Sequence, residues 1–124
     1  MIGANFHGAN LSGVNLAYVD LTATDLSQAN LQRAEFSDET KLNGANLSQT
    51  NLIKACLSGA NLSGANLTEA NLCGASLEDT DLRGADLTNA NLENACLANA
   101  NLAGAIFDNV NLTGAMMPDG TIHE

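Results

Sequence analysis

The chain has 124 residues with 4 basic and 14 acidic side chains, a formal charge of −10, and 45% apolar against 15% charged residues. That length sets one domain as the default, and the composition is too apolar for a disordered tail. The acidity argues against DNA, RNA or anionic lipid as a direct partner, because phosphate binding needs clustered Lys and Arg.

In chain order, Met1-Ile2-Gly3-Ala4-Asn5 lacks the charged and apolar regions of a secretory signal, and no apolar run approaches ~18 residues. Three cysteines without such a signal predict reduced thiols in the cytoplasm. A large apolar residue then recurs every five positions: Phe6, Leu11, Leu16, Leu21, Leu26, Leu31 and Phe36. One six-residue step passes through Ser37-Asp38-Glu39-Thr40-Lys41, and the series resumes at Leu42 and runs through Leu112 to Met117. With this large residue denoted i, position i−2 always holds a small one, from Ala4 and Ala9 through Thr24, Thr40 and Thr50 to Val110 and Ala115. All 23 repeats, seven before the step and sixteen after it, obey both rules.

A period of five is not helical: at 100° per residue the leucines would scatter around the axis instead of forming a stripe. It is not a plain strand either, since strand side chains alternate with period two. It fits a short extended piece, with i−2 and i inward, followed by a corner that resets the phase. Ten of the eleven glycines, Gly44 and Gly64 among them, sit at i+2. That is the third place of a four-residue turn, where type II geometry requires positive φ. Asn89, Asn94, Asn99 and Asn109 tolerate the same region, whereas corners at Arg33, Lys54 and Glu69 are expected to use another turn.

Four corners per coil predict a 20-residue β-solenoid of just under six coils, roughly 28 Å tall at strand spacing. The column Asn10, Asn30, Asn51, Asn71, Asn91, Asn111 and the corner column Gly44, Gly64, Gly84, Gly104 suit that stacking if the extra residue near Glu39 is a bulge. Two readings stand for the outward asparagines: hydrogen bonds along the stack or to the turns, or mere polar spacing. Each inward leucine is expected to contribute ~1.5–3 kcal/mol of burial.

The motif A(N/D)Lxx, as in Ala60-Asn61-Leu62-Ser63-Gly64 and Ala85-Asp86-Leu87-Thr88-Asn89, resembles the pentapeptide-repeat family over residues 4–117. That resemblance implies an all-β right-handed quadrilateral parallel β-helix over 1–117, with a one-residue insertion near 37–41 and a short tail at 118–124. The ending Met117-Pro118-Asp119-Gly120-Thr121-Ile122-His123 also resembles the tail of cyanobacterial members. Pro118-Asp119-Gly120 reads as a turn that folds Ile122 back over the last layer. Repeats start at Met1 with no cap ahead of them, so end-to-end stacking of two copies at the N-terminal coil is an expectation.

No catalytic, cofactor or metal site is expected. His7 and His123 lie near opposite ends, so no base–nucleophile pair is foreseen for either. Cys56 and Cys96 fall in one outward column with Ser76 between them, about two layers or ~9.6 Å apart, too far for a disulfide or a shared zinc. The nine-residue Gly-Asp repeat of calcium-binding rolls is missing, the period is not that of hexapeptide solenoids, and a Ser27, Ser48, Thr68, Thr88 column is broken by Asp108.

Charge is the functional hint. Residues 1–68 carry five acids and three bases, and residues 69–124 carry nine acids against Arg83 alone. Glu78, Asp79, Asp81, Asp86, Glu93 and Asp119 are the candidate acidic interaction surface, with Glu78, Asp79 and Asp119 collected on one face and its corner, and Asp38, Glu39 and Lys41 are a candidate recognition bulge. One reading is a surface kept acidic for solubility. The other is an electrostatic docking face for another protein, with no direct nucleic acid or membrane contact. Some members of the resembled family present an acidic rod that mimics duplex DNA and protect DNA gyrase. Such mimicry is the alternative function for a non-enzymatic scaffold or regulator.

Overall fold

A computed structural model describes residues Met1–Glu124. Each repeat contributes one short extended piece, and parallel bridges join position i−1 to its counterpart one coil on. Four columns result. The first face runs Asn5, Asp25, Asn46, Asn66, Asp86, Ile106, and the second Asn10, Asn30, Asn51, Asn71, Asn91, Asn111. The third runs Asn15, Glu35, Cys56, Ser76, Cys96, Met116, and the fourth Asp20, Lys41, Asn61, Asp81, Asn101. Each corner is named here for the face it follows, as the first to fourth edge.

The repeat Thr50-Asn51-Leu52-Ile53-Lys54 shows why the motif reads as it does. Four of its five N–H groups bond to backbone carbonyls: Thr50 to Leu47 (3.3 Å), Asn51 to Ala29 (3.1 Å), Leu52 to Asn71 (2.7 Å) and Lys54 to Cys73 (3.0 Å). The fifth, Ile53 N–H, has no backbone acceptor, and Asn51 Oδ1 accepts it at 3.1 Å. The same bracket recurs wherever Asn or Asp occupies i−1, as at His7, Ala17, Ser63 and Thr88, at 2.9 to 3.0 Å. The outward asparagines therefore finish the turns. In the second column one side-chain bond runs along the stack, from Asn91 Nδ2 to Asn71 Oδ1 at 3.4 Å.

Inside, the leucines from Leu21 to Leu97 and the intervening alanines are almost wholly shielded. Where i−2 is Thr, the hydroxyl donates to a main-chain carbonyl, as from Thr50 Oγ1 to Leu47 (2.8 Å) and Thr80 Oγ1 to Leu77 (2.7 Å). Those bonds remove the cost of burying a hydroxyl among leucines.

Corners depart from expectation at Arg33, Lys54 and Glu69, whose φ values of 60°, 57° and 58° match the left-handed Asn and Gly corners. The ladder overrides residue preference, because only a left-handed i+2 residue aims its N–H at the next coil. The corner that does differ is the inserted one. Around Ser37-Asp38-Glu39-Thr40 no residue has positive φ, Thr40 N–H closes the turn on Ser37 C=O at 3.0 Å, and Thr40 Oγ1 donates to Leu16 C=O at 3.1 Å. Lys41 still bridges Asp20 and Asn61, so the corner absorbs the extra residue without shifting the ladder.

The two ends differ. At the C-terminus, Pro118 opens a turn closed by Gly120 N–H on Met117 C=O (2.8 Å), and Ile122 then bridges Met116 in antiparallel sense. The tail thus folds back as expected. It covers the third face's backbone edge, however, not the core: Ile122 continues the outward column beyond Met116 and stays 55% exposed. At the N-terminus nothing covers the first coil. Phe6 and Leu11 are half-buried there, and a cavity of about 170 Å³ opens among Met1, Phe6, Leu11, Val14, Leu16, Leu21 and Leu26.

Candidate interaction surface

Stacking corner on corner decides which charges meet. The third edge carries, coil by coil, Tyr18, then Asp38 and Glu39, Gly59, Glu78 and Asp79, Asn99, and Asp119. Five carboxylates, all on exposed residues, therefore recur at every second coil, ~9.6 Å apart, with no base among them. The insertion and the acidic cluster, which look like separate features in the sequence, form one edge. Lys41 stands beside it on the fourth face.

The other candidates lie elsewhere. Asp81 is on the fourth face, where both oxygens bond Arg83 on the fourth edge, at 2.8 Å to Nε and 2.6 Å to Nη2. Asp86 is on the first face, opposite the third, and accepts from Thr88 N–H (3.0 Å) and Oγ1 (2.6 Å). Glu93 lies on the second edge, which also carries Arg33 and Lys54. Of the six acids in the candidate surface, Glu78, Asp79 and Asp119 share the third edge as expected and Asp81 flanks it, while Asp86 and Glu93 face elsewhere, because five residues in sequence turn one corner.

Several carboxyls are held below the usual range. Hydrogen bonds from the Ser or Thr two residues on do this for Asp20, Asp25, Asp86 and Asp119, and the Arg83 guanidinium does it for Asp81. Asp119, on the acidic edge, is one of them.

One contact overturns the reading of His7. Its Nδ1 lies 2.7 Å from Ser27 Oγ, one coil above on the first edge, and Ser27 Oγ donates to Asp25 Oδ1 at 2.5 Å. Stacking by 20 residues brings together groups that sequence distance separates. With the serine hydroxyl bonded to Asp25, Ser27 Oγ accepts from His7 in the tautomer that carries the proton on Nδ1.

On the third face, Ser76 bridges both Cys56 and Cys96, placing the two thiols on alternate layers as expected. Cys96 Sγ sits 4.0 Å from Met116 Sδ, and Cys73 lies on the second edge. No helix is long and apolar enough to cross a membrane.

Eight copies of a family model described as pentapeptide repeats match residues 4–38, 29–68, 65–102 and 95–119. Among solved structures, the chain is similar to Rfr23, a pentapeptide repeat protein from the cyanobacterium Cyanothece 51142. The identity is 30% and the TM-score 0.56, over 99% of this chain and 90% of that one. It is also similar to QnrB1, a plasmid-mediated fluoroquinolone resistance protein, at 18% identity and TM-score 0.64, over 94% and 74% of the two chains. That likeness is one of fold. HetL of Nostoc sp. strain PCC 7120, involved in heterocyst differentiation regulation, is 26% identical over 99% of this chain and 91% of its own, at TM-score 0.32. No curated protein matches the sequence.

Proposed function

Because the chain belongs to the pentapeptide-repeat family and is a right-handed quadrilateral β-helix, we propose that it is a non-enzymatic scaffold that binds a basic protein along its third edge. The observation that carries this reading is the alignment of Asp38, Glu39, Glu78, Asp79 and Asp119 on one rigid corner, with Tyr18, 77% exposed, at its foot. Rigidity matters because a rod whose corners are locked by the ladder loses little entropy on binding. Tyr18 adds a large amphipathic contact of the kind enriched in interfaces. A non-enzymatic role is supported by the bond that ties the Ser27 hydroxyl to Asp25 and by the wholly hydrophobic lining of the cavity. A reducing cytoplasm suits three free thiols.

DNA mimicry is the less favoured reading on charge density. The five carboxylates span four layers, ~19 Å, or about one per 4 Å, whereas duplex DNA carries one charge per ~1.7 Å. The test is capture from a cyanobacterial lysate on wild-type protein and on the Glu78→Lys/Asp79→Lys variant, with and without competing duplex DNA. Scaffolding predicts a basic protein retained at low salt, lost on charge reversal and indifferent to DNA. Displacement by duplex, with DNA gyrase among the retained proteins, would favour mimicry. Equal retention on wild type and variant would remove the edge from the function.

A further inference from the structure

The first coil ends in a self-complementary backbone edge. Asn5, Asn10 and Asn15 each direct both N–H and C=O to its lower side, and none of those six groups makes a backbone hydrogen bond. In every later coil the same two groups are taken: Asn71 N–H bonds Thr50 C=O, and Asn71 C=O accepts from Leu52. A residue with both groups free on one side is what a closely bonded antiparallel pair needs, each partner exchanging two bonds with the other. We infer that two copies of this chain join head to head through their N-terminal coils, about a two-fold axis perpendicular to the rod.

The geometry of a winding chain fits that axis. Rotation about a line through the second face sets Asn10 against the partner's Asn10 and Asn5 against the partner's Asn15, with strand directions reversed at each. The first coil climbs from Asn5 to Asn15, so the low start of one ramp meets the high end of the other. The apolar mouth lined by Phe6, Leu11, Val14 and Leu16 then closes on its own copy.

Charge selects this end. Among residues 1–20 the only Asp, Glu, Lys or Arg is Asp20, whereas residues 100–124 carry Asp108, Asp119 and Glu124 with no base. Meeting at the first coil keeps the acidic ends apart. The C-terminal edge is also obstructed on its third face, where Ala115 C=O and Met117 N–H already bond His123 and Thr121. A head-to-tail contact, which would propagate into a filament, is therefore disfavoured.

The test is sedimentation equilibrium of the full chain over a wide concentration range. The expected species is a dimer of twice 12.8 kDa, in which the Asn5, Asn10 and Asn15 amides gain hydrogen-exchange protection as concentration rises. Asn10→Pro removes an N–H that the single chain does not use, and proline is tolerated on a strand edge. Asn10→Ala gives up the same Oδ1 bracket on Ser12 N–H (3.3 Å) but keeps the amide, so relative to that control Asn10→Pro should weaken association roughly tenfold or more through the lost bonds, with matching circular dichroism and denaturation midpoint. If the proline variant misfolds, the amide protection of the unaltered chain decides. A strict monomer, an open-ended series of larger species, or a dimer that responds to Ile122→Lys and not to Asn10→Pro would each overturn the inference.

Discussion

Asn61 accepts from Ser63 N–H at 2.9 Å and from Ser63 Oγ at 2.7 Å, and so closes the one backbone donor that its repeat leaves open. Asn61→Ala should lower stability by about 1 kcal/mol, while Asn61→Asp should be nearly neutral at pH 7, because a carboxylate accepts the same bonds. Denaturant midpoints of the two variants check this. Where Asp already holds the position, the bond carries a pH dependence. Asp20, Asp25, Asp81, Asp86 and Asp119 have folded-state pKa values below the ordinary 3.8. Their contribution is therefore fully present above that value and is lost as pH falls through the lower folded-state values. Melting temperature should be flat through neutrality and fall below about pH 4, and Asp25→Asn with Asp86→Asn should shallow that fall. A melting curve insensitive to acid would contradict the assignment. The Asn or Asp preference was legible as a pattern in the sequence. Bonding to the turns was one of its two readings there, and the choice between them was not legible, because it depends on which N–H the ladder omits.

At the scale of one corner, the inserted residue is tied to a glycine one coil away. A Cβ on Gly59 would lie 2.7 Å from Asp38 Cβ and 3.0 Å from its Cα, whereas one on Gly64 would meet nothing within 4 Å. Both residues have left-handed φ, 76° and 65°, so both alanine variants bear the backbone cost of about 1–2 kcal/mol. Gly59→Ala should cost roughly 1–3 kcal/mol more, from overpacking against the bulge. Deleting Glu39 should narrow that difference, as unfolding curves of the four proteins would reveal. Period five located the corners and the bulge, since both are phase information. Turn preference misled at Arg33, Lys54 and Glu69 because non-glycine residues in the left-handed region cost less than the inter-coil bond they would otherwise forfeit. Ile122 was misplaced for a related reason: antiparallel pairing with Met116 fixes its side chain outward, a register that turn residues alone do not specify.

For the whole molecule, stability is close to a sum over coils and their interfaces. Leu72 is fully buried in the middle of the stack. Leu72→Lys should abolish the single cooperative melt or split it into two, through a buried unpaired charge. Leu11→Lys, in the half-buried first coil, should cost the fold of the single chain much less. A Leu72→Lys melt close to wild type would falsify the inward assignment. Architecture was almost wholly readable from sequence, because every contact repeats at a fixed interval. The shared corner of Glu78, Asp79 and Asp119 was readable too; the joining of Asp38 and Glu39 to it and the His7–Ser27–Asp25 string were not, because each depends on which corner lies over which. Asp79 and Glu93 diverge onto different edges, while Asp38 and Asp119 align across four layers.

That vertical alignment makes the rod a screw with four settings. Removing a full coil between Glu39 and Glu78 would shorten the molecule and leave its charged corner in line. Removing a single pentapeptide there would rotate Glu78, Asp79 and Asp119 a quarter turn away from Asp38 and Glu39, while leaving composition, net fold and leucine core nearly unchanged. Two deletions of such different size would thus have opposite consequences for recognition, the larger being the gentler.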